Sequence, residues 1–397
     1  MPTKSADVVV AGHICLDVIP TLAARPGDAL LAPGTLTLVG PAVIATGGPV
    51  ANVGLALHRL GVPVRLVGRV GDDLFGRAVL DLLRGHDPAL ADHMRVVPGA
   101  PTSYTVVISR PGVDRTFLHC PGANDTFGAD DVPDKVLAAA RLLHFGYPPV
   151  MRRLYSDGGR ELEIMLRRAK VHGLTTSLDM TLPDPDSAAG RVDWPAWLAR
   201  VLPQVDLFLP SAEEILFMLD RAQFNRLARV TGPAGVLSRL YGVRLHALAE
   251  ELVHLGVALV ALKLGDQGLY LRTTADAGRL PALLPATAWQ GRELLAPCFR
   301  VRVVGTTGAG DCTIAGFLAG LLRGRPPAAV MTSAVAVGAC NVEAADATSG
   351  VPSWADVQRR IRTGWERLPV TLPLPGWRWH AGQGLWIGPH DTGGEIC

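Results

Sequence analysis

Short runs of apolar residues alternate along this chain with longer segments in which apolar residues recur every three or four positions. The short runs are bounded by turn residues and are typical of strands, which we predict over residues 7–11, 64–67, 105–109, 142–145, 175–179, 207–209, 259–262 and 268–272. The periodic segments predict helices over residues 50–59, 75–83, 161–171, 212–219, 247–255 and 311–323. The chain is therefore predicted to be an α/β protein.

The regular succession of strand and helix indicates a mostly parallel sheet. Parallel strands are joined by crossovers, usually helices, and these cover both faces of the sheet. Ligands of such sheets bind beyond the carboxyl ends of the strands. We therefore expect the ligands of this protein to gather at that edge.

Two segments, about 30–44 and 103–117, do not follow this succession. In the second, alternating residues flank a turn at 110–115. Both segments predict antiparallel strands outside the main sheet. They form either a small flap that closes over a ligand or a surface hairpin without that role.

No internal repeat and no low-complexity linker divides the chain, so one large domain with a flap is predicted rather than two domains. The domain is placed at residues 1–366, with a lid formed from about 28–46 and 100–120. Residues 367–397 are rich in proline, glycine and tryptophan and are predicted to form an irregular C-terminal extension. Its tryptophans would pin it either to the body of the protein or to a partner.

The composition indicates a globular protein that binds a small molecule. Of 397 residues, 48% are hydrophobic and 19% are charged, and the formal net charge of +2 offers no attraction for nucleic acid or an anionic membrane. The six cysteines include no CxxC pair, so neither a zinc site nor a disulfide framework is indicated. The first residues lack the apolar core of a signal peptide, and every long apolar stretch is interrupted, so we expect a cytoplasmic protein.

The most informative motif is the loop Gly305-Thr-Thr-Gly-Ala-Gly-Asp311. It lies between residues 299–304, which alternate as a strand does, and the apolar segment 313–322, which is predicted to be helical. Free N–H groups and the helix dipole at a helix start favour a phosphate, and glycine lets the backbone approach it closely. With Asp311 as an adjacent base, the loop indicates phosphoryl transfer to a hydroxyl, whereas the plainer alternative is a glycine-rich turn with an acidic first helical turn.

Two earlier segments offer groups suited to hydroxyls. Gly47 and Gly48 precede a helix whose first turn carries Asn52, which can both donate and accept hydrogen bonds. Asp17 lies just past the end of the first strand, where its carboxylate could accept two hydroxyl hydrogen bonds from a polyol. Taken alone, the first of these segments is also an ordinary start of a helix.

Four motifs occur here in the order found in ribokinase-like (PfkB-type) carbohydrate kinases, which the chain resembles from about residue 8 to residue 352. They are the GG-x-x-AN segment at 47–52, GRVGDD-x-x-G at 68–76, GAN at 122–124, and the GTTGAGD loop followed by Gly316-Phe317. The resemblance implies a three-layer ribokinase-like fold, with a mostly parallel central sheet between helices and a small antiparallel β lid.

The resemblance also implies roles for individual residues. Asp311 matches the catalytic base, and the amides of Gly308, Ala309, Gly310 and Asp311 match the anion hole that steadies the transferring phosphoryl group. The positions that match sugar contacts are Asp17, Gly48 and Asn52, together with Arg115 and Asn124 from the flap region.

Further positions match the nucleotide and metal sites of the family. The segment from Lys263 through Gly265 to Gly268 resembles the nucleotide loop, and Thr307 and Asn341 are also expected on the cofactor side. Glu214 matches a glutamate that helps to organise Mg²⁺ through water, although Ser211 stands where asparagine is usual. Gly305 stands where the family often has aspartate near a monovalent-cation site, so potassium activation is left open, with Thr307 and residues 345–350 at the other cation contacts.

The resemblance therefore implies an ATP- and Mg²⁺-dependent kinase that phosphorylates a primary hydroxyl of a sugar or sugar-like polyol. One alternative is a nucleoside or sugar-phosphate kinase of the same fold, although a phosphorylated acceptor calls for more basic residues near Asp17 and Asn52 than Arg115 alone. Another alternative is a catalytically silent sugar sensor. Edge strands of the lid could also pair with a second copy to give a homodimer.

Overall fold

The computed structural model describes residues 7–22, 33–34, 36–109, 115–240 and 242–393. The strands are β1 (Val8–Gly12), β2 (Cys15–Pro20), β3 (Ala42–Gly47), β4 (Val64–Gly71), β5 (Met94–Val97), β6 (Tyr104–Ile108), β7 (Thr116–Cys120), β8 (Leu142–Gly146), β9 (Thr175–Asp179), β10 (Leu207–Phe208), β11 (Leu259–Lys263), β12 (Leu269–Thr273), β13 (Glu293–Ala296), β14 (Arg378–His380) and β15 (Leu385–Ile387).

The helices connect these strands and cover the sheet. They are α1 (Pro49–Arg59), α2 (Leu74–His86), α3 (Asp134–Leu137), α4 (Arg152–Ser156), α5 (Arg160–Val171), α6 (Trp194–Val201), α7 (Ala212–Leu219), α8 (Arg221–Thr231), α9 (Gly242–His254), α10 (Ala286–Trp289), α11 (Ala309–Leu322), α12 (Pro327–Asn341) and α13 (Trp354–Arg362). Short 3₁₀ turns lie at Pro88–Ala91, Gly122–Thr126, Ala129–Asp131, Pro148–Val150, Ala189–Arg191, Leu202–Gln204, Pro233–Arg239, Gly265–Gln267 and Ala277–Arg279.

An eleven-stranded sheet forms the centre, in the order β14-β15-β13-β12-β11-β10-β9-β8-β1-β4-β5. In this spatial order, the seven strands β5, β4, β1, β8, β9, β10 and β11 pair in parallel with their neighbours. The strands that follow, β12, β13, β15 and β14, pair antiparallel. The prediction of a mostly parallel sheet between helices is therefore confirmed. Among the described helices, none is long and apolar enough to cross a bilayer.

Each face of the sheet carries its own hydrophobic core. Successive residues of a strand point to opposite faces, so Val8 and Val10 of β1 pack in one core while Val9 and Ala11 pack in the other. Residues of α1, α11 and α12 fill the first core, and residues of α5, α6, α7 and α9 fill the second. This arrangement explains why the central strands are apolar throughout and do not alternate.

A four-stranded lid sheet, in the order β3-β2-β6-β7, lies outside the main sheet. It contains one parallel pair, β2 with β6, and two antiparallel pairs. The small sheet expected from the two irregular segments is thus present. Residues 28–32, 35 and 110–114 of those segments lie outside the described residues. The boundaries drawn around the lid and the domain stay predictions.

Residues 299–304 do not form the predicted strand. Within this segment only Phe299 makes a β-bridge, and its partner is Arg367. The Phe299 ring stacks on Trp365 at 4.3 Å between ring centroids, and the N–H groups of Val304 and Gly305 both donate to the carbonyl of Val342. The segment is therefore an extended loop in which Phe299 is buried while Val303 is 60% exposed, so its alternating pattern does not mark one buried side.

The C-terminal extension is more regular than predicted. β14 and β15 form a hairpin in which Trp379 pairs with Trp386, with 5.4 Å between their ring centroids, and β15 continues the main sheet beside β13. Each strand has only three residues, too few for an alternating pattern to be recognised in the sequence. Trp377 and Trp386 pack against the second hydrophobic core, so these tryptophans help to pin the extension to the body of the protein.

Candidate active site

The carboxyl ends of four parallel strands and the start of α11 bring polar side chains to one edge of the sheet. His13 follows β1, Tyr147 follows β8, Asp179 ends β9, Lys263 ends β11, and Asp311 lies in the first turn of α11. This is the edge at which ligands were expected from the order of strands and helices.

Asp311 is held by two hydrogen bonds from different elements. Asn52 Nδ2, in the first turns of α1, donates to Asp311 Oδ2 at 2.8 Å, and the Tyr147 hydroxyl donates to Asp311 Oδ1 at 3.1 Å. Asp311 is 3% exposed, and burial raises its pKa, although the bond from Asn52, the nearby Lys263 and the bond from Tyr147 oppose this rise. The carboxyl group is therefore fixed in orientation and more basic than a surface aspartate.

The start of α11 presents backbone N–H groups beside this carboxyl group. Gly308 precedes the helix with φ at 70°, a conformation that glycine adopts without steric cost. The first bond of the α-helical pattern runs from Cys312 N to Gly308 O at 2.8 Å, so the N–H groups of Gly310 and Asp311 have no acceptor within the helix. Ala309 N donates to Thr306 O at 3.3 Å, so one of the expected anion-hole amides is already engaged.

Lys263 is the centre of a buried charged cluster next to α11. Its Nζ donates to Asp179 Oδ1 at 2.7 Å, and a Cβ placed on Gly310 would lie 3.4 Å from Lys263 Cδ. Burial lowers the pKa of Lys263, but the carboxyl groups of three neighbours outweigh burial and raise it. These neighbours are Asp179, Glu214 and Asp311.

The excess of carboxyl groups over cations gives this cluster the character of a cation site. Glu214 Oε2 accepts a hydrogen bond from Ser211 N at 2.8 Å, which anchors the side chain at the start of α7, and burial raises the pKa of Glu214. The buried Oδ2 atom of Asp179 has no hydrogen-bond partner among the described residues. Carboxylate oxygens are the ligands that Mg²⁺ prefers, so the residues present fit a magnesium ion.

A row of polar side chains crosses the inner face of the lid. Asp17 of β2 pairs with Thr105 of β6, which pairs with His119 of β7. Thr105 Oγ1 lies 3.0 Å from His119 Nδ1, and Cys15 Sγ donates to Asp17 Oδ1 at 3.3 Å. Burial is the main reason that the pKa of Asp17 rises to about 6, and burial lowers the pKa of His119.

His13 lies between His119 of the lid and Tyr147 at the strand ends, and the space between lid and strand ends is the cleft of this site. The His13 ring lies 5.0 Å from the ring of His119 and 6.3 Å from the ring of Tyr147, centroid to centroid. Gly48, expected to contact sugar, has φ at 81°, and a Cβ there would come within 2.5 Å of His13 Nδ1. Gly48 therefore allows the turn before α1 to pass close to the imidazole, and its contact with sugar stays a prediction.

Arg115 and Asn341 meet at Thr307, in the loop before α11. Arg115 Nη1 donates to Thr307 Oγ1 at 2.5 Å, and Asn341 Nδ2 donates to Thr307 O at 2.8 Å. Arg115 thus links the lid to the loop before α11, while the fully buried Asn341 links that loop to α12. Their expected contacts with sugar and nucleotide, and the monovalent-cation site, stay predictions.

The remaining predicted residues lie near the cleft with evident structural roles. The side-chain amide of Asn124 is fully buried, donating to Ile14 O at 2.8 Å and accepting from Ile14 N at 3.4 Å. Gly265 and Gly268 shape the tight turn between β11 and β12, in which Leu264 N donates to Gly268 O at 2.9 Å. Direct contacts of these three residues with ligands stay predictions.

Sequence reasoning missed four residues that the structure brings into this site, namely His13, Tyr147, Asp179 and His119. Three of them end or follow a predicted strand, so the rule that ligands bind at carboxyl ends could have found them. Tyr147 has φ at 65°, the one positive value among the described non-glycine residues. No signal in the sequence marks such a conformation at a tyrosine.

Comparison with known proteins assigns the chain to a family. The family model for pfkB family carbohydrate kinases matches residues 5–354. The chain belongs to this family of carbohydrate kinases. A 2-dehydro-3-deoxygluconokinase of Thermoproteus tenax is 27% identical over 335 residues, covering 83% of this chain and 89% of the relative, and a fructokinase-1 of Zea mays is 25% identical over 327 residues, covering 80% and 83%.

Solved structures share the fold of this PfkB-family kinase. The structure of Arabidopsis thaliana ribokinase complexed with ribose and ATP matches with a TM-score of 0.64 at 19% identity, covering 89% of this chain and 98% of that one. The ribokinase of Thermotoga maritima matches with a TM-score of 0.64 at 20% identity, covering 90% and 99%. The predicted ribokinase-like fold is thereby confirmed, and the protein is a sugar kinase.

The raised pKa of Asp17 predicts a pH-dependent cost in stability. This pKa rises from its usual 3.8 to about 6, so the folded state keeps a proton that the unfolded state has already lost. The proton bound to Asp17 therefore contributes fully to the free energy of unfolding below about pH 4. This contribution is lost as the pH rises through about 6. Two pKa units at about 1.4 kcal/mol each give a loss of roughly 3 kcal/mol.

Asp17→Asn should remove this dependence. Urea unfolding between about pH 4 and pH 8 should show the wild-type free energy of unfolding falling by roughly 3 kcal/mol relative to that of the variant. Asp81→Asn, at a side chain that is 74% exposed, is the control and should follow the wild type. Parallel curves for the wild type and Asp17→Asn would contradict the prediction.

Proposed function

We propose that this sugar kinase transfers the γ-phosphoryl group of ATP to a hydroxyl of a neutral sugar or polyol, with Asp311 as the general base. The observation that carries the proposal is the position of Asp311 between the free N–H groups at the start of α11 and the polar face of the lid. A hydroxyl bound against that face and a phosphate bound at the helix start would meet beside the same carboxyl group.

The environment of Asp311 suits proton abstraction. A general base must be deprotonated and still basic enough to accept a proton, and a raised carboxyl pKa supports the second requirement. Asn52 and Tyr147 hold one carboxylate oxygen each, which keeps the side chain from rotating. Each oxygen has further lone pairs, so one of them can accept the proton of the sugar hydroxyl.

The start of α11 is the proposed anion hole, with Gly308, Gly310 and Asp311 supplying the N–H groups, while Ala309 N already donates to Thr306 O. Phosphoryl transfer depends on positioning and charge stabilisation more than on covalent chemistry, so oriented amides serve it well. Glu214 and Asp179 are the residues that would hold Mg²⁺, which, when bound with the nucleotide, neutralises phosphate charge. A putative ribokinase II of Escherichia coli, which shares this fold, has been solved in complex with ATP and Mg²⁺.

The inner face of the lid favours an uncharged acceptor. Its row consists of one acid, Asp17, one hydroxyl, Thr105, and one imidazole, His119, whose pKa burial lowers. A carboxylate at Asp17 would repel a phosphate on the acceptor, and a neutral imidazole would not attract it. The relatives are named for 2-dehydro-3-deoxygluconate and fructose, so both a sugar acid and a ketose belong in the substrate panel.

Asp311→Asn tests the proposed base. The amide keeps the shape of the side chain but cannot accept the proton, so kcat should fall by about 10²–10⁴-fold while ATP binding changes little. Steady-state ADP release on the best sugar of a panel measures kcat, and calorimetry with a non-hydrolysable ATP analogue measures binding. Near-wild-type turnover would remove Asp311 as the base, and a wild type that releases no ADP with any sugar would favour the silent sensor.

Tyr147→Phe tests the hydrogen bond that positions Asp311. The hydroxyl lowers the pKa of Asp311 by donating to its carboxylate, so its loss should raise that pKa further. In a plot of kcat/KM against pH, the acidic limb should then move to higher pH. The fold decrease in kcat should be larger than the fold increase in KM. Tyr155→Phe, on α4, is the matched control, and an unmoved acidic limb in Tyr147→Phe would show that this hydrogen bond does not tune the base.

We also propose that the outer face of the lid pairs two copies of the chain. The register places Ile44, Val18, Val106 and Leu118, one from each lid strand, in a single row directly behind the polar row. Ile44 is 45% exposed and Leu118 is 51% exposed. A contiguous aliphatic face on a sheet with two edge strands suits self-association about a two-fold axis.

Leu118→Glu should convert this dimer to a monomer because it places a charge in the aliphatic row. Light scattering coupled to size exclusion, at tens of micromolar protein, gives the mass directly. Val96→Glu on β5 is the control, since Val96 is also exposed, at 44%, but lies on the main sheet. A monomeric wild type at that concentration would refute the lid dimer without affecting the proposed chemistry.

A further inference from the structure

The C-terminal segment after β15 brings a second group of polar side chains together beside β13, in the antiparallel part of the main sheet. His246 lies on α9, Glu293 begins β13, and His390 follows β15. One imidazole nitrogen of each histidine and one carboxylate oxygen of the glutamate lie within 4.8 Å of one another. Of the strands that carry active-site residues, β11 is separated from β13 by β12, and β1, β8 and β9 lie beyond β10 in the strand order.

We propose that His246, Glu293 and His390 form a binding site for a divalent transition-metal ion of the zinc class. His246 Nδ1 lies 2.9 Å from Glu293 Oε1. The ring of His390 stacks on that of His246, with 3.8 Å between centroids and 21° between planes. Both imidazoles thus stand beside the same carboxylate.

The ligand types select the class of metal. Two imidazoles with one carboxylate make a set that zinc accepts, whereas Mg²⁺ and Ca²⁺ prefer oxygen ligands alone. One proton lies between His246 Nδ1 and Glu293 Oε1, and the bound ion would take the place of that proton. His390 is exposed, so the ion can enter from solvent, and water can complete its coordination.

The carboxylate at the centre of the group is held rigidly. Glu293 is fully buried, and the hydroxyl of Tyr270 donates to its Oε1 at 2.9 Å while His390 N donates to its Oε2 at 2.8 Å. Hydrogen bonds to a ligating carboxylate fix its orientation and raise metal affinity. A bound ion would therefore join α9, β13 and the C-terminal segment at one point and would stabilise the packing of the β14–β15 hairpin on the sheet.

The test uses the 397-residue chain without a histidine tag, stripped with chelator and kept reduced. Calorimetric titration with Zn²⁺, checked by elemental analysis after dialysis, should give one tightly bound ion per chain. His246→Ala and His390→Ala should each weaken that binding by about tenfold or more, because each removes a ligand. Bound Co²⁺ should show visible absorption bands of the intensity typical of four or five ligands, and His390→Ala should abolish them.

His254→Ala is the matched control, since His254 lies on the same helix, α9, but its Nδ1 contacts Glu250 O. This variant should keep wild-type Zn²⁺ affinity. Zn²⁺ should also raise the thermal unfolding temperature of the wild type and of His254→Ala, but not that of His390→Ala. Equal Zn²⁺ affinity in His390→Ala and His254→Ala, or no stoichiometric binding to the wild type, would overturn the proposal, and neither outcome bears on the kinase reaction.

Discussion

The burial of Asp311 at the first turn of α11 is the constraint on which the rest of the site depends. A carboxyl group removed from water needs hydrogen-bond donors, and these come from Asn52 on α1 and Tyr147 after β8. Both elements must therefore stand at fixed distances from α11. Two contacts on one side chain thus tie α1, the residue after β8, and α11 together at the edge of the sheet where the phosphoryl group is proposed to bind.

The lid has two chemically different faces because side chains alternate between the two faces along each β-strand. Because neighbouring residues point to opposite faces, a shift of one position exchanges Asp17, Thr105 and His119 for the aliphatic row behind them. The polar row faces the cleft, as the contact between His119 and His13 indicates, and the aliphatic row faces outward. One register therefore sets both the chemistry of the proposed sugar site and the surface available to a second copy.

The sequence was sufficient for the fold class, the lid and the position of the Asp311 loop, because each depends on local periodicity or on glycines at a helix start. It was insufficient where a residue acts through distant partners. Tyr147 and Asp179 follow or end predicted strands, but the sequence does not show that Tyr147 donates to Asp311 or that Asp179 accepts from Lys263. Residues 299–304 show the converse error, since their alternating pattern predicts a strand, whereas they form a loop whose one β-bridge joins Phe299 to Arg367.

The C-terminal extension is part of the folded core because it donates a hydrogen bond to the buried carboxylate of Glu293. Fully buried Glu293 accepts a hydrogen bond from His390 N, and the carboxylate of Asp391 accepts from Glu293 N at 2.8 Å and from Arg292 Nε at 3.0 Å. Without this segment, Glu293 would lose one of its donors and β13 would present an unpaired edge. The β14–β15 hairpin therefore pairs with β13, and the polar segment after it supplies a hydrogen-bond donor to Glu293 and a carboxylate to Arg292.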